Sequence, residues 1–159
     1  MNEKLGITSN VFLIEEGKRL KIPLKVVSKD EMKSMKPLNG GYIINLQNSD
    51  KGTGSHWTAL YIYNSYAIYN DSFGSLPPVE IIRFVRRIKR NMKIVYNIDI
   101  IQNLKSEACG YFALLFIYFI HKYRQRDLRK VLIKFTSLFS KRNTEYNDEL
   151  LKKYYFSLI

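Results

Sequence analysis

Cysteine and histidine are almost missing from this 159-residue sequence, which holds one Cys, at position 109, and two His, at 56 and 121. A lone cysteine cannot close an internal disulfide, so a disulfide-stapled secreted scaffold is excluded and a reducing compartment is expected. Long apolar runs are missing too. The longest, residues 108–120, falls well short of the roughly 20 residues that a membrane-spanning helix needs; it reads as a buried core helix, and no membrane partner is expected. Residues 1–9 are polar and charged, without the pattern of a secretory leader. There is no low-complexity segment and no repeat. Acidic residues are scarce: 14 Asp and Glu face 26 Lys and Arg, for a net charge of +12. That excess favours a polyanionic partner such as nucleic acid, although a solvated basic surface gives the same count.

What is present suffices for one compact domain over residues 1–159, since 46% of the residues are apolar and a chain of this length can bury a core. Residues 10–20 have helical spacing, with Ser9 as N-cap and Pro23 as a stop. Ser28 and Glu31 form a capping-box pattern that opens a short helix to about Met35. Pro37 and Gly40-Gly41 then break the chain before a strand over residues 42–46, and residues 50–55 read as a loop. Two β-rich segments, 56–63 and 66–70, flank Asn64-Ser65, which suits a tight hairpin. A helix is expected over residues 79–91, with Ile81, Ile82, Val85 and Ile88 on one face, then a strand at 93–97. The helix headed by Cys109 follows, and two more helical stretches lie near 127–139 and 147–155. The expected fold class is α+β, a small antiparallel-rich sheet flanked by helices.

Cys109 opens the apolar helix, where the positive end of the helix dipole and unpaired N–H groups favour a thiolate. An inert buried thiol is the plain alternative. A nucleophilic cysteine needs a base. His121 is on the same helix, roughly 18 Å away at about 1.5 Å per residue, and sits among Lys122, Arg124 and Arg126, so it cannot serve. His56 remains, entering a strand from a Gly-containing loop. If Asn64-Ser65 are the two turn residues, Tyr63 pairs with Tyr66, Thr58 faces Asp71 and His56 faces Phe73. His56 and Asp71 then share a face as diagonal neighbours. One more loop residue would shift the register and present Asn70 instead, and Asp71 also suits an Asx-type cap of the turn at Ser72–Gly74. Gln102, in the loop before Cys109, can fold back to supply an amide donor to a developing oxyanion.

The order His56-Trp57, Asp71, Gln102, Cys109-Gly110 resembles the adenain-like and Ulp-type cysteine proteases. Gly54-Ser55-His56-Trp57 looks like the histidine strand of that family and Asp71-Ser72-Phe73-Gly74 like its acid-bearing segment. Gln102 with Cys109-Gly110-Tyr111-Phe112 is similar to its oxyanion-hole glutamine and nucleophile. With Leu76-Pro77-Pro78, the acid segment is most similar to the adenain-like proteases of virophages and of virus-like Polinton transposons. The matching segments span about residues 42–120.

The resemblance implies a papain-like cysteine protease fold and a thiol endopeptidase. Cys109 would be the nucleophile, His56 the general base and acid, Asp71 the group that orients it, and Gln102 the oxyanion-hole donor. It implies a viral or transposon-encoded enzyme that cleaves capsid precursor proteins during virion maturation at Gly-Gly or Gly-X sites, acting as a monomer in the virion and the infected cell. Trp57 and Gly110 would touch substrate, although Trp57 also fits a core position on the opposite strand face. Leu38-Asn39-Gly40-Gly41 fits a cleavage pattern but suits a turn before a strand better. No metal or other cofactor is needed for the chemistry. Activation by DNA is expected to be open to it, with Arg83, Arg86, Arg87, Lys89 and Arg90 as contacts and Lys122, Arg124, Arg126, Arg129, Lys130 and Lys134 as a second basic band. A disulfide-linked peptide activator, as adenain uses, is excluded by the single cysteine. Two other functions compete: a deSUMOylating or deubiquitinating protease, which shares the catalytic order, and a non-enzymatic nucleic-acid-binding protein.

Overall fold

In the computed structural model, which describes residues 4–47 and 56–158, Ser9 caps the first helix, α1 (Asn10–Arg19), by accepting from the Phe12 N–H at 3.1 Å. The expected loop at 50–55 lies outside the described residues. After Pro23 comes a strand that the sequence reading did not contain, β1 (Leu24–Ser28). It is only half-buried and shows no alternation of apolar and polar residues, so it carries no period-two signal. A 3-10 helix (Lys29–Ser34) follows, its start closed by the Glu31 carboxylate, which accepts from the Ser28 N–H at 3.0 Å.

Strands β2 (Gly40–Asn45), β3 (Trp57–Tyr63), β4 (Tyr66–Asn70) and β5 (Lys93–Tyr96) complete a five-stranded sheet in the order β1-β2-β3-β4-β5. The two inner pairings are antiparallel and the two outer ones parallel. The sheet is therefore mixed, with the expected antiparallel strands at its centre and a parallel strand added at each edge. Both outer strands are reached by crossovers, one through the 3-10 helix and one through α2 (Val79–Arg86), and a crossover is what a parallel pair requires. Gly40-Gly41 begin β2 and are buried in the sheet, which rules out a cleavable exposed turn there.

Alternation along the strands sorts the core into two layers. Tyr42, Ile44, Leu60, Ile62, Ala67 and Tyr69 pack on one face against Ile81, Phe84 and Val85 of α2 and Met32 of the 3-10 helix. Helix α2 stops at Arg86, five residues short of the expectation, and Ile88 is 39% exposed outside the stripe. The chain must turn there to bring Lys93 beside Tyr66. Arg87 caps the helix end, and its guanidinium donates to the carbonyls of Met32 and Lys33.

The other sheet face carries Ile43, Ala59, Tyr61 and Ile68 and receives α3 (Cys109–Lys122). Residues such as Phe112, Leu114, Phe116, Ile117 and Ile120 bury α3 on nearly all sides, as expected of a helix that is apolar all round. Each large side chain so buried contributes roughly 1.5–3 kcal/mol of transfer free energy. Helices α1, α4 (Leu128–Thr136) and α5 (Asn147–Phe156) surround it. Close approach is enforced at Gly41, where a Cβ would stand 2.6 Å from Ile117 Cγ2. The helix N-terminus is thereby fixed near the sheet end where β3 begins and β4 finishes.

Candidate active site

The hairpin acts as a ruler. Asn64 takes the left-handed conformation (φ 55°) that a tight two-residue turn needs, and Tyr63 pairs with Tyr66. Counting outward, Ala59 pairs with Asn70, so His56 and Asp71 emerge together at the open end of the pair. His56 Nε2 lies 2.7 Å from Asp71 Oδ1. That leaves Nδ1 as the ring nitrogen free for Cys109, which lies near enough to help raise the pKa of the imidazole. The alternative register is rejected, because the Asn70 side chain is buried and accepts from Asn97 Nδ2 at 3.0 Å.

Asp71 is 2% exposed. Its two readings hold at once, since the same Oδ1 accepts from the Phe73 N–H at 2.8 Å and so shapes the turn that ends at Gly74 (φ 74°). The Phe73 ring lies against the imidazole, with centroids 4.9 Å apart. Burial alone would discharge His56. Hydrogen bonds and charge from Asp71 and Cys109 outweigh it and hold the imidazolium pKa up at about 9.

Cys109 is the first residue of α3 and is 9% exposed. The N-terminal segment packs beside it, a placement that no spacing in the sequence encodes. Leu5 joins the apolar cluster that contains Cys109. Thr8 sits so close to the helix that a Cβ on Gly110 would stand 2.0 Å from its Oγ1. Trp57 Nε1 donates to the Thr8 carbonyl at 3.3 Å. Trp57 is 6% exposed and belongs to the α3-side core, on the strand face opposite Thr58. It holds the N-terminal segment down and does not line an open cleft, and Gly110 is likewise packed against Thr8.

Gln102 is fully buried. The N–H groups of Ile101 and Gln102 both donate to the Ser72 carbonyl, at 2.9 and 3.0 Å, which ties the loop to the residue after Asp71. Its side chain spans from Ser72, whose Oγ donates to Oε1 at 2.5 Å, to the Ser106 carbonyl, which accepts from Nε2 at 3.0 Å. The structure therefore gathers His56, Asp71 and Cys109, and docks Gln102 on the two segments that carry the acid and the thiol. Ser72, Ser106 and Thr8 were missed, because single hydroxyl residues in loops carry no pattern. His121 is at the far end of α3, with Nδ1 2.6 Å from the Tyr61 hydroxyl. Among the described residues no cluster of His, Cys, Asp or Glu could hold a metal ion, and no helix is long and apolar enough to cross a membrane.

Of the first basic group, only Arg83 and Arg86 lie on α2; Lys89 and Arg90 follow it in the turn, and Arg87 is engaged with main-chain carbonyls. In the second, Arg124, Arg126 and Arg129 join Lys93, Tyr63 and Tyr66 around a cavity of about 510 Å³.

The adenovirus endoprotease family has a sequence model that matches residues 38–153. In structure, the chain is similar to the ASFV pS273R protease, with a TM-score of 0.62 at 17% identity over 98% of this chain and 68% of that one. It is also similar to the central domain of the Lpg1148 protein from Legionella pneumophila, with a TM-score of 0.50 at 10% identity over 96% of this chain and 98% of that one. No curated protein sequence matches.

The contact between Thr8 and Gly110 is testable. Gly110→Ala is expected to destabilise the fold by about 1–3 kcal/mol in denaturant titration through overpacking, and Thr8→Gly in the same chain should recover most of the loss. Equal stability of Gly110→Ala and wild type would show that the N-terminal segment does not press on this helix.

Proposed function

The chain belongs to the adenovirus endoprotease family of cysteine proteases, and we propose that it hydrolyses peptide bonds through Cys109, with His56, Asp71 and Gln102 in supporting roles. The observation that carries this reading is the bond of His56 Nε2 to Asp71 Oδ1 at 2.7 Å, with the only cysteine of the chain near enough to help raise the pKa of the same imidazole. The Cys109 sulfur attacks the scissile carbonyl carbon. The oxyanion that forms is met by the Cys109 N–H and the Gln102 amide. Collapse expels the amine, which takes its proton from the His56 imidazolium, and leaves a thioester on Cys109. Water then attacks the thioester, His56 accepts its proton, and the carboxylic product departs from the regenerated thiol. Asp71 keeps the ring oriented and favours its charged form throughout.

The substrates proposed are capsid precursor proteins, cleaved after or between glycines in the virion or the infected cell. Two features support a glycine preference. Cys109 is nearly closed over, and the N-terminal segment stands beside Gly110, so a residue without a side chain approaches with least obstruction. A ubiquitin-like substrate ending in Gly-Gly would meet the same requirement and is the competing reading. Incubating wild type and Cys109→Ala with capsid precursors and with ubiquitin-like precursors separates them. Cleavage of the capsid proteins at Gly-Gly or Gly-X by wild type alone is expected. Identical fragments from both enzymes would remove the protease role of Cys109, and cleavage confined to ubiquitin-like proteins would reassign the substrate.

Genomic DNA is proposed as a second partner and an activator, held through phosphates. The cavity at the far end of α3 supports it, because its one acid, Asp127, is already engaged by the Arg129 N–H at 3.0 Å. Affinity for random-sequence duplex should then fall steeply, by a factor on the order of 10³, between about 50 and 200 mM salt. Absence of binding at the lower salt would overturn this partner.

A further inference from the structure

We propose that Asp148, acting through the Ser106 hydroxyl, fixes which way the Gln102 carboxamide points, and is a positioning residue for the oxyanion hole. The inference rests on the reading of Gln102 as an oxyanion donor. An amide that stabilises an oxyanion must present nitrogen to it, since the flipped amide would present an oxygen and repel the charge.

The loop that carries Gln102 is gripped by the corner leading into α5. Asn147, fully buried, donates through Nδ2 to the Ile101 carbonyl at 2.8 Å and to the Ser140 carbonyl at 2.7 Å. Asn103 Nδ2 donates to Thr144 Oγ1 at 3.0 Å. At the far end of the loop, Ser106 Oγ donates to Asp148 Oδ1 at 2.8 Å. These contacts hold the loop before, just after and beyond Gln102, all from one corner of the chain.

The last contact selects the amide orientation. Once the Ser106 hydroxyl hydrogen is committed to Asp148, that residue offers Gln102 only acceptors: its carbonyl, 3.0 Å from Nε2, and its Oγ, 3.3 Å from Nε2. The Ala108 N–H donates to the same Oγ at 3.2 Å, so the hydroxyl also organises the residue before the nucleophile. At the opposite end Ser72 Oγ donates to Oε1. With a donor facing Oε1 and acceptors facing Nε2, one orientation is satisfied and its flip sets oxygen against oxygen. Without the Asp148 carboxylate, the Ser106 hydroxyl is free to turn its hydrogen toward Gln102, and the preference is weakened to what the Ser106 carbonyl and Ser72 Oγ alone supply.

The test compares wild type, Asp148→Ala, Asp148→Asn, Ser106→Ala and Gln102→Ala in three measurements: peptide turnover, affinity for a peptide aldehyde, and alkylation of Cys109 by iodoacetamide. The aldehyde adds the thiol to give a hemithioacetal whose oxygen occupies the hole, whereas alkylation builds no oxyanion. Asp148→Ala and Ser106→Ala should lower kcat and aldehyde affinity together by about tenfold, with KM and alkylation rate unchanged. Asp148→Asn keeps an acceptor and should stay near wild type, and Gln102→Ala should cost about 10²-fold. If Gln102→Ala lowers aldehyde affinity and neither Asp148→Ala nor Ser106→Ala does, the positioning role is wrong and the oxyanion role stands. If Gln102→Ala leaves aldehyde affinity unchanged, the oxyanion role itself fails. Equal losses in all three measurements for the Asp148 and Ser106 variants would mean a structural role and would also overturn the proposal. Should Asp148→Ala not fold, Ser106→Ala decides.

Discussion

The hydrogen bond between His56 and Asp71 depends on a turn at the other end of their hairpin. Neither residue lies inside a strand: one precedes β3 and the other follows β4. Their meeting at 2.7 Å is set by register alone, and register is set by Asn64-Ser65. An added residue in that turn would invert every side chain of one strand relative to the other and would set Asn70 toward His56. The chain has used Asn70 elsewhere, in a buried bond to Asn97 that fastens the end of β4 to the segment after β5. The acid and its amide neighbour therefore have separate tasks, and one backbone count keeps them apart.

Helix α3 supplies the other half of the constraint. Because it is buried on nearly all sides, it cannot slide or roll without opening the core, so the thiol at its first residue is held by the packing of the residues behind it. The glycine at 41 lets the helix approach the sheet, and the glycine at 110 lets the N-terminal segment approach the helix. Charge is then placed where the fold is tightest. His56 is mostly buried, yet its imidazolium is favoured because a buried carboxylate and the thiol are aimed at it, an arrangement suited to holding a proton ready for a leaving amine.

The catalytic half of this arrangement was legible in the sequence because it is local or periodic. A two-residue turn between apolar strands carries its register with it, so the shared face of His56 and Asp71 could be counted out. The apolar run after Cys109 announced a buried helix, and Ser9 announced the start of α1. Long-range demands were not legible. β1 is an edge strand without alternation, and α2 ends early because β5 must reach β4, which no helical periodicity encodes. Trp57 could have faced cleft or core, and only the N-terminal segment beneath it settles the matter. The support of Gln102 by Asn147 and Asp148 joins residues more than forty positions apart through single hydroxyl, amide and carboxylate groups, which leave no spacing to read.

The central claim is that Asp71 and Cys109 together keep His56 protonated. A pKa raised on folding from 6.5 to about 9 means that the native state binds this proton more tightly than the unfolded chain. The stabilisation from it is whole below about pH 6.5 and is lost as pH rises through about 9. With only two histidines in the chain, an NMR titration of the ring protons reads both directly, and His121, lowered by burial and by Arg124, serves as the internal reference. The prediction is a His56 midpoint near 9 that drops markedly in Asp71→Asn, with the His121 midpoint below 6.5 in both. A His56 midpoint at or below 6.5 in the wild type, unmoved by Asp71→Asn, would contradict it.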